Sequence, residues 1–184
     1  MGVIHDVTAR GGVWLARCPS CRGRRIRPED LGRFAAVGAI ANFQPLWACS
    51  DRQMEELTLP FVGSERAGWQ YSIRSLLSRG VPVAFGSDWP VSSPDPLQVI
   101  HVAVNRSPSG RLGQAGTSEC DKPFRPGEAI GISEALAAYT RGVALVNGEE
   151  TVTGVLTPGM RADIAVLDQQ VFSVPARAAR DPVS

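Results

Sequence analysis

The sequence predicts an α/β chain organised around a parallel sheet, and three observations carry that reading. From Arg27 to Val146 short apolar runs alternate with amphipathic helical patterns, as β/α units do when they pack around parallel strands. Two such repeats can be counted, with strand candidates at Ala39-Ile40-Ala41-Asn42-Phe43 and Val81-Pro82-Val83-Ala84-Phe85. Beyond Thr151 the pattern changes to that of a hairpin, with Thr157-Pro158-Gly159 at the turn and Ala162 to Leu167 as an apolar strand.

The elements follow in chain order. Arg27-Pro28-Glu29-Asp30 opens a helix, with proline in the first turn and two acids at the positive end of the dipole, and Gly38 closes it. The first strand then ends at Gln44-Pro45. Ser64 is placed to cap a second helix carrying Trp69, Ile73, Leu76 and Leu77 at helical spacing, stopped by Arg79-Gly80. The second strand breaks at Gly86-Ser87-Asp88-Trp89-Pro90. Asp95-Pro96 caps a third helix with Leu97, Ile100, His101 and Val104 on one face, and Ser133-Glu134 opens a fourth with Leu136, Tyr139 and Val143. Between Asn105 and Gly131 the periodicity vanishes and a long loop is expected. The expected division is therefore a divergent segment 1–26, β/α units over 27–150, a hairpin over 151–172 and a tail over 173–184.

Composition excludes several function classes. Nineteen basic against eighteen acidic residues leave a net charge of +1, so no field gathers nucleic acid or an anionic membrane. No apolar run approaches the roughly 20 residues of a bilayer span, and the first residues lack the zones of a signal peptide, which makes a cytoplasmic protein the expectation. The four cysteines are too few and too unevenly spread for a disulfide framework, so reduced thiols are expected.

Few residues offer chemistry. Asp88 stands where a strand of an α/β barrel would end at its catalytic face, and a carboxylate there can bind a divalent metal and take a proton from activated water. The same residue could instead only cap the turn at Trp89-Pro90. Gln44 and Trp47, just past the first strand, would lie on the face of Asp88 and contact substrate, or else bind backbone and fill an apolar gap. Cys18-Pro19-Ser20-Cys21 has the spacing of a zinc knuckle or redox pair, yet a structural zinc needs four ligands and no second close pair exists. His101 sits among apolar positions, as a packed core histidine does. The elbow motif of serine hydrolases, the dinucleotide fingerprint and the P-loop are all missing.

Taken together, Arg27-Pro-Glu-Asp-Leu, Ala41-Asn-Phe-Gln-Pro-Leu-Trp-Ala, Ala84-Phe-Gly-Ser-Asp-Trp-Pro-Val, Asp95-Pro-Leu, Glu134-Ala-Leu and Ala138-Tyr-Thr resemble the amidohydrolase superfamily, within it the amidohydrolase 3 family of metal-dependent hydrolases. Gly154-Val-Leu-Thr-Pro-Gly-Met-Arg-Ala-Asp-Ile-Ala-Val-Leu-Asp168 is similar to the closing hairpin of many members. The resemblance implies the C-terminal portion of a (β/α)8 TIM-like barrel, followed by a hairpin belonging to a small β-sandwich domain. It implies hydrolysis of non-peptide carbon–nitrogen bonds of a small-molecule substrate, with Asp88 contacting a divalent metal, zinc above all, and handling the proton of the attacking water.

The departures from the family pattern shape the expectation for this chain. The His-x-His pair of the first strand, the mid-barrel lysine or acid and one later histidine of the family have no counterpart here, and Arg17-Cys-Pro-Ser-Cys-Arg-Gly stands where an Arg-Ile-Glu-His segment belongs. By that alignment an arginine near Arg22 occupies a ligand position. One aspartate does not hold a catalytic zinc, which takes three protein ligands. The chain alone is thus expected to bind no metal and to be inactive, as a truncated product. The alternatives are a non-catalytic remnant or barrel-completing subunit, and a small zinc or redox module at Cys18 and Cys21; a homo-oligomer stays open.

Overall fold

A computed structural model of the protein describes residues 25–108 and 122–172. The expected tail, the Cys18-Cys21 pair, most of the divergent N-terminal segment and the middle of the long loop lie outside those residues.

The centre is a parallel pair, β1 (Ala41–Phe43) and β2 (Val83–Phe85), in the register Ala41 to Val83, Asn42 to Ala84 and Phe43 to Phe85. Both expected strands are thus present, shortened at their N-terminal ends. Because β side chains alternate, Phe43 and Phe85 share a face with Ala41 and Val83, and all four belong to the core. Asn42 points the other way and is exposed.

Helix α1 (Leu31–Ala36) follows a 3-10 turn over Pro28–Asp30 and buries Leu31. The polypeptide between β1 and β2 is more segmented than its periodicity suggests. A 3-10 turn at Pro45–Trp47 precedes α2 (Arg52–Leu57), capped by Asp51 Oδ1 accepting from Met54 N at 2.6 Å. Then come α3 (Leu59–Val62), α4 (Ser64–Ala67) and α5 (Ile73–Leu77). The single helix expected from Ser64 through Leu77 is therefore corrected to two, interrupted at residues 68–72. Its carbonyls there have tertiary partners: Trp69 O accepts from Ile26 N at 3.0 Å, and Gln70 O from the Arg125 guanidinium. Tyr71, at φ 49°, is 2% exposed, so burying it outweighs the cost of a left-handed residue.

Helix α6 (Pro96–Asn105) matches its expected start, with Asp95 Oδ1 accepting from Leu97 N at 2.9 Å. His101 is buried on it at 4% exposure, with Asn105 Nδ2 3.4 Å from its Nδ1. The fourth expected helix divides at Thr140 into α7 (Ile132–Tyr139) and α8 (Arg141–Asn147). The Thr140 hydroxyl donates to Leu136 O at 2.9 Å, a local bond that competes with helix continuation. The bend seats α8 directly on β2: a Cβ on Gly142 would collide with Val83 O and stand 3.1 Å from Ala84 Cα.

The expected hairpin over 151–172 is not formed as a ladder among the described residues. Arg161 N donates to Val152 O at 2.8 Å, and the strand positions Leu156, Ile164 and Val166 are 73%, 62% and 90% exposed. The physical reason is that a two-stranded ribbon is marginal in water unless its apolar face meets another layer, and nothing described in this chain supplies one.

Candidate functional site

The parallel register sets the site. Gly86 N donates to Phe43 O at 2.9 Å, so the carboxyl ends of β1 and β2 are level and both following loops leave the same edge. Gln44 is the first residue past β1 and Asp88 the third past β2. In α/β sheets this edge is where ligands bind, because strands hold the backbone while loops diverge.

Asp88 has φ 65°, in the left-handed region that few residues other than glycine, asparagine and aspartate enter. Its carbonyl accepts from Val91 N at 2.8 Å and Ser92 N at 3.3 Å, and Trp89 N donates to Ser87 Oγ at 3.3 Å. The Ser92 hydroxyl donates to Ser87 O, closing the turn from both sides. The Trp89–Pro90 peptide is cis. These bonds take up the backbone of the turn that carries the half-buried Asp88 side chain. Trp89 is pushed outward to 66% exposure.

Gln44 is half-buried at the same edge. Trp47 faces elsewhere: with Asp51, Gln53, Met54, Thr58 and Tyr71 it lines a cavity of about 10 Å³. The structure thus brings Gln44 and Asp88 to one edge and assigns Trp47 to the packing beside α2. A larger cavity, about 410 Å³, lies between α6, α7 and residues 167–171 and includes none of the three.

Sequence reasoning passed over Asn42. Its Oδ1 would stand 4.0 Å from a Cβ on Gly86, on the sheet face opposite the core and toward the Asp88 edge. The signal was available, since one polar residue interrupts an otherwise apolar strand. As to a metal, no group of three or more His, Cys, Asp or Glu able to hold one occurs among the described residues. The residues described therefore do not fit a complete hydrolase metal centre, for which zinc needs three protein ligands.

Comparison with known proteins decides the family. The model of the amidohydrolase family matches residues 7–183. The chain belongs to the amidohydrolase family. It is 32% identical over 168 residues to "Protein LONG AFTER FAR-RED 3" of Arabidopsis thaliana, covering 91% of this chain and 27% of that protein. It is 30% identical to the "Putative amidohydrolase YtcJ" of Bacillus subtilis (strain 168), covering 79% of this chain and 26% of that one. The "N-substituted formamide deformylase" of Arthrobacter pascens is 33% identical over 99 residues, 54% of this chain and 16% of that one. Two solved structures, uncharacterised metal-dependent hydrolases of Pyrococcus furiosus and Pyrococcus horikoshii OT3, align with TM-scores of 0.63 and 0.66 at 30% and 27% identity. They cover 81% and 84% of this chain, and 27% and 29% of theirs. The chain spans about a quarter of the length of the first two curated relatives. The family match runs through residues 7–26 and 173–183 as well as the β/α units.

Proposed function

We propose that this chain carries one corner of the active site of a hydrolase that cleaves non-peptide carbon–nitrogen bonds, and that Asp88 takes the proton of the attacking water. The observation that carries the reading is a half-buried carboxylate at the carboxyl end of a buried parallel strand, on a left-handed turn, in a member of the amidohydrolase family. A non-glycine residue held at positive φ is a feature that clusters at functional sites. The deformylase relative supports an amide or formamide as the substrate class, a small molecule rather than a nucleic acid or membrane. In such a cleavage the water oxygen bonds to the acyl carbon, the C–N bond breaks, and the proton held by Asp88 passes to the departing amine. Gln44, at the same edge, is the substrate contact in this reading.

A divalent ion, zinc by preference, belongs to the complete enzyme, where it would activate water as a Lewis acid. The described residues offer it Asp88 and no set of three ligands, so we infer that the chain is truncated and inactive alone. That same observation favours a second reading, in which the chain is a non-catalytic remnant or completes a barrel held by another subunit. The family match, which runs through Cys18 and Cys21, leaves an independent zinc or redox module there without support.

The test compares this chain with one extended through any reading frame upstream of Met1, each assayed on N-substituted formamides and for bound metal. The expected result is no turnover from the chain, and turnover from an extended protein encoding the missing histidines that falls by about 10²-fold or more in Asp88→Asn. Turnover that survives Asp88→Asn sinks the role given to Asp88. An upstream frame without those ligands establishes the remnant instead.

A further inference from the structure

Behind the 3-10 turn at Pro45–Trp47, where α6 packs, the described residues bury more hydrogen-bond donors and more positive charge than they supply acceptors for. Arg106, in the left-handed C-cap of α6 at φ 56°, is 0% exposed. Its Nε donates to Phe124 O at 2.9 Å, its carbonyl accepts from Phe124 N at 2.7 Å, and its guanidinium lies 5.9 Å from the Phe124 ring centroid. Both terminal nitrogens, NH1 and NH2, are buried without an acceptor among the described residues.

The acid in the neighbourhood is already engaged. Glu128 accepts from Ser75 Oγ at 2.6 Å, from Ser75 N at 3.0 Å and from Arg125 NH2 at 3.4 Å. Among the described residues two guanidiniums face one carboxylate, which leaves one positive charge over at Arg106. Two further buried donors have no partner among the described residues: Gln70 Nε2, on the residue whose carbonyl holds Arg125, and Trp47 Nε1. Burial first and the charge of Arg125 second lower the Arg106 guanidinium to about 10, with Glu128 opposing. Water could accept from these donors, but it would not neutralise the charge.

We propose that the NH1–NH2 edge of Arg106 is the receptor for a small carboxylate of formate size, bound through two parallel N–H···O bonds. Nε is engaged by Phe124 O, so the free edge of the guanidinium is the one that matches a planar, two-oxygen anion. A halide would meet the charge without using that fork, which makes carboxylate the class the geometry selects. Asp88 and Gln44 take no part, so the proposal stands apart from the hydrolase reading.

The experiment uses the full chain with sodium formate exchanged for sodium chloride at constant ionic strength. For the wild type a saturable rise in thermal midpoint is expected, roughly 3–6 °C at ten times the dissociation constant, together with saturable broadening of the [13C]formate resonance. Arg106→Lys, which keeps the charge and loses the fork, should weaken binding at least tenfold, and Arg106→Gln should abolish it. If Arg106→Gln does not fold, the lysine variant and the wild-type titration decide. The proposal is overturned by wild-type formate signals that do not broaden, by chloride raising the midpoint as much as formate, or by formate binding equally to Arg106→Lys.

Discussion

Substituting Gly142 by alanine tests how α8 is seated on β2. In most helix interiors the change would stabilise, since alanine exceeds glycine by about 1 kcal/mol in helix propensity. At Gly142 the added methyl meets backbone: it collides with Val83 O and stands 3.1 Å from both Ala84 Cα and Val83 C. Carbon atoms pack at about 3.5–4.0 Å, so α8 must retreat by half an ångström to clear the carbons and by more to clear the carbonyl. Neither obstacle is a flexible side chain that can rotate away. Overpacking of this kind costs about 3 kcal/mol, at the upper end of its range, and subtracting the propensity gain leaves a loss of about 2 kcal/mol. For a chain of this size that is a fall of roughly 4–8 °C in thermal midpoint. Gly32, in α1, has nothing within 4 Å of its would-be Cβ, so Gly32→Ala supplies the control and should gain up to about 1 kcal/mol. Urea unfolding of both variants, read for midpoint at constant slope, makes the comparison. Should Gly142→Ala prove as stable as Gly32→Ala, α8 does not lie on β2 as described, and the placement of the strand that leads to Asp88 loses its support.

Two further outcomes are expected. Glu128→Ala removes the carboxylate that ties α5 to the segment before α7, leaving Ser75 N and the Arg125 guanidinium without it, and should lower stability by about 3 kcal/mol; an unchanged urea midpoint would mean the tie is dispensable. Tyr139 has its pKa raised by burial first and by the nearby Asp95 charge second. A phenol with a raised folded pKa contributes stability that is complete below its unfolded value, near 10, and is lost as pH climbs through the folded value. Tyr139→Phe should therefore flatten the alkaline decline in thermal midpoint above pH 10, and an identical decline in both proteins would refute the assignment.

The helix starts were legible because they depend on neighbouring residues. Asp95-Pro96 announces α6, and the carboxylate does cap Leu97 N. Asp51 ahead of Arg-Gln-Met-Glu-Glu carries a similar signal, and reading it would have found α2. The helix interruptions were not legible. Residues 64–77 have unbroken helical spacing, and what divides them is Ile26 and Arg125 claiming the carbonyls of Trp69 and Gln70 from distant parts of the chain. At the candidate site, sequence placed Gln44 and Asp88 past their strands, but it could not tell that Trp47 turns to the α2 side.

By itself, then, the sequence determined the family, the two parallel strands and the location of Asp88 just beyond the second, because motif order and short apolar runs are local properties of the chain. Tertiary structure alone decided which helices break, that Gly142 is a contact with β2, and, among the described residues, that the segment 151–172 makes no ladder and that the buried Arg106 guanidinium has no acceptor at its NH1–NH2 edge. Each of these depends on what a residue meets across the fold, since a carbonyl, a Cβ or a guanidinium takes its energy from the atoms beside it and not from its neighbours along the chain.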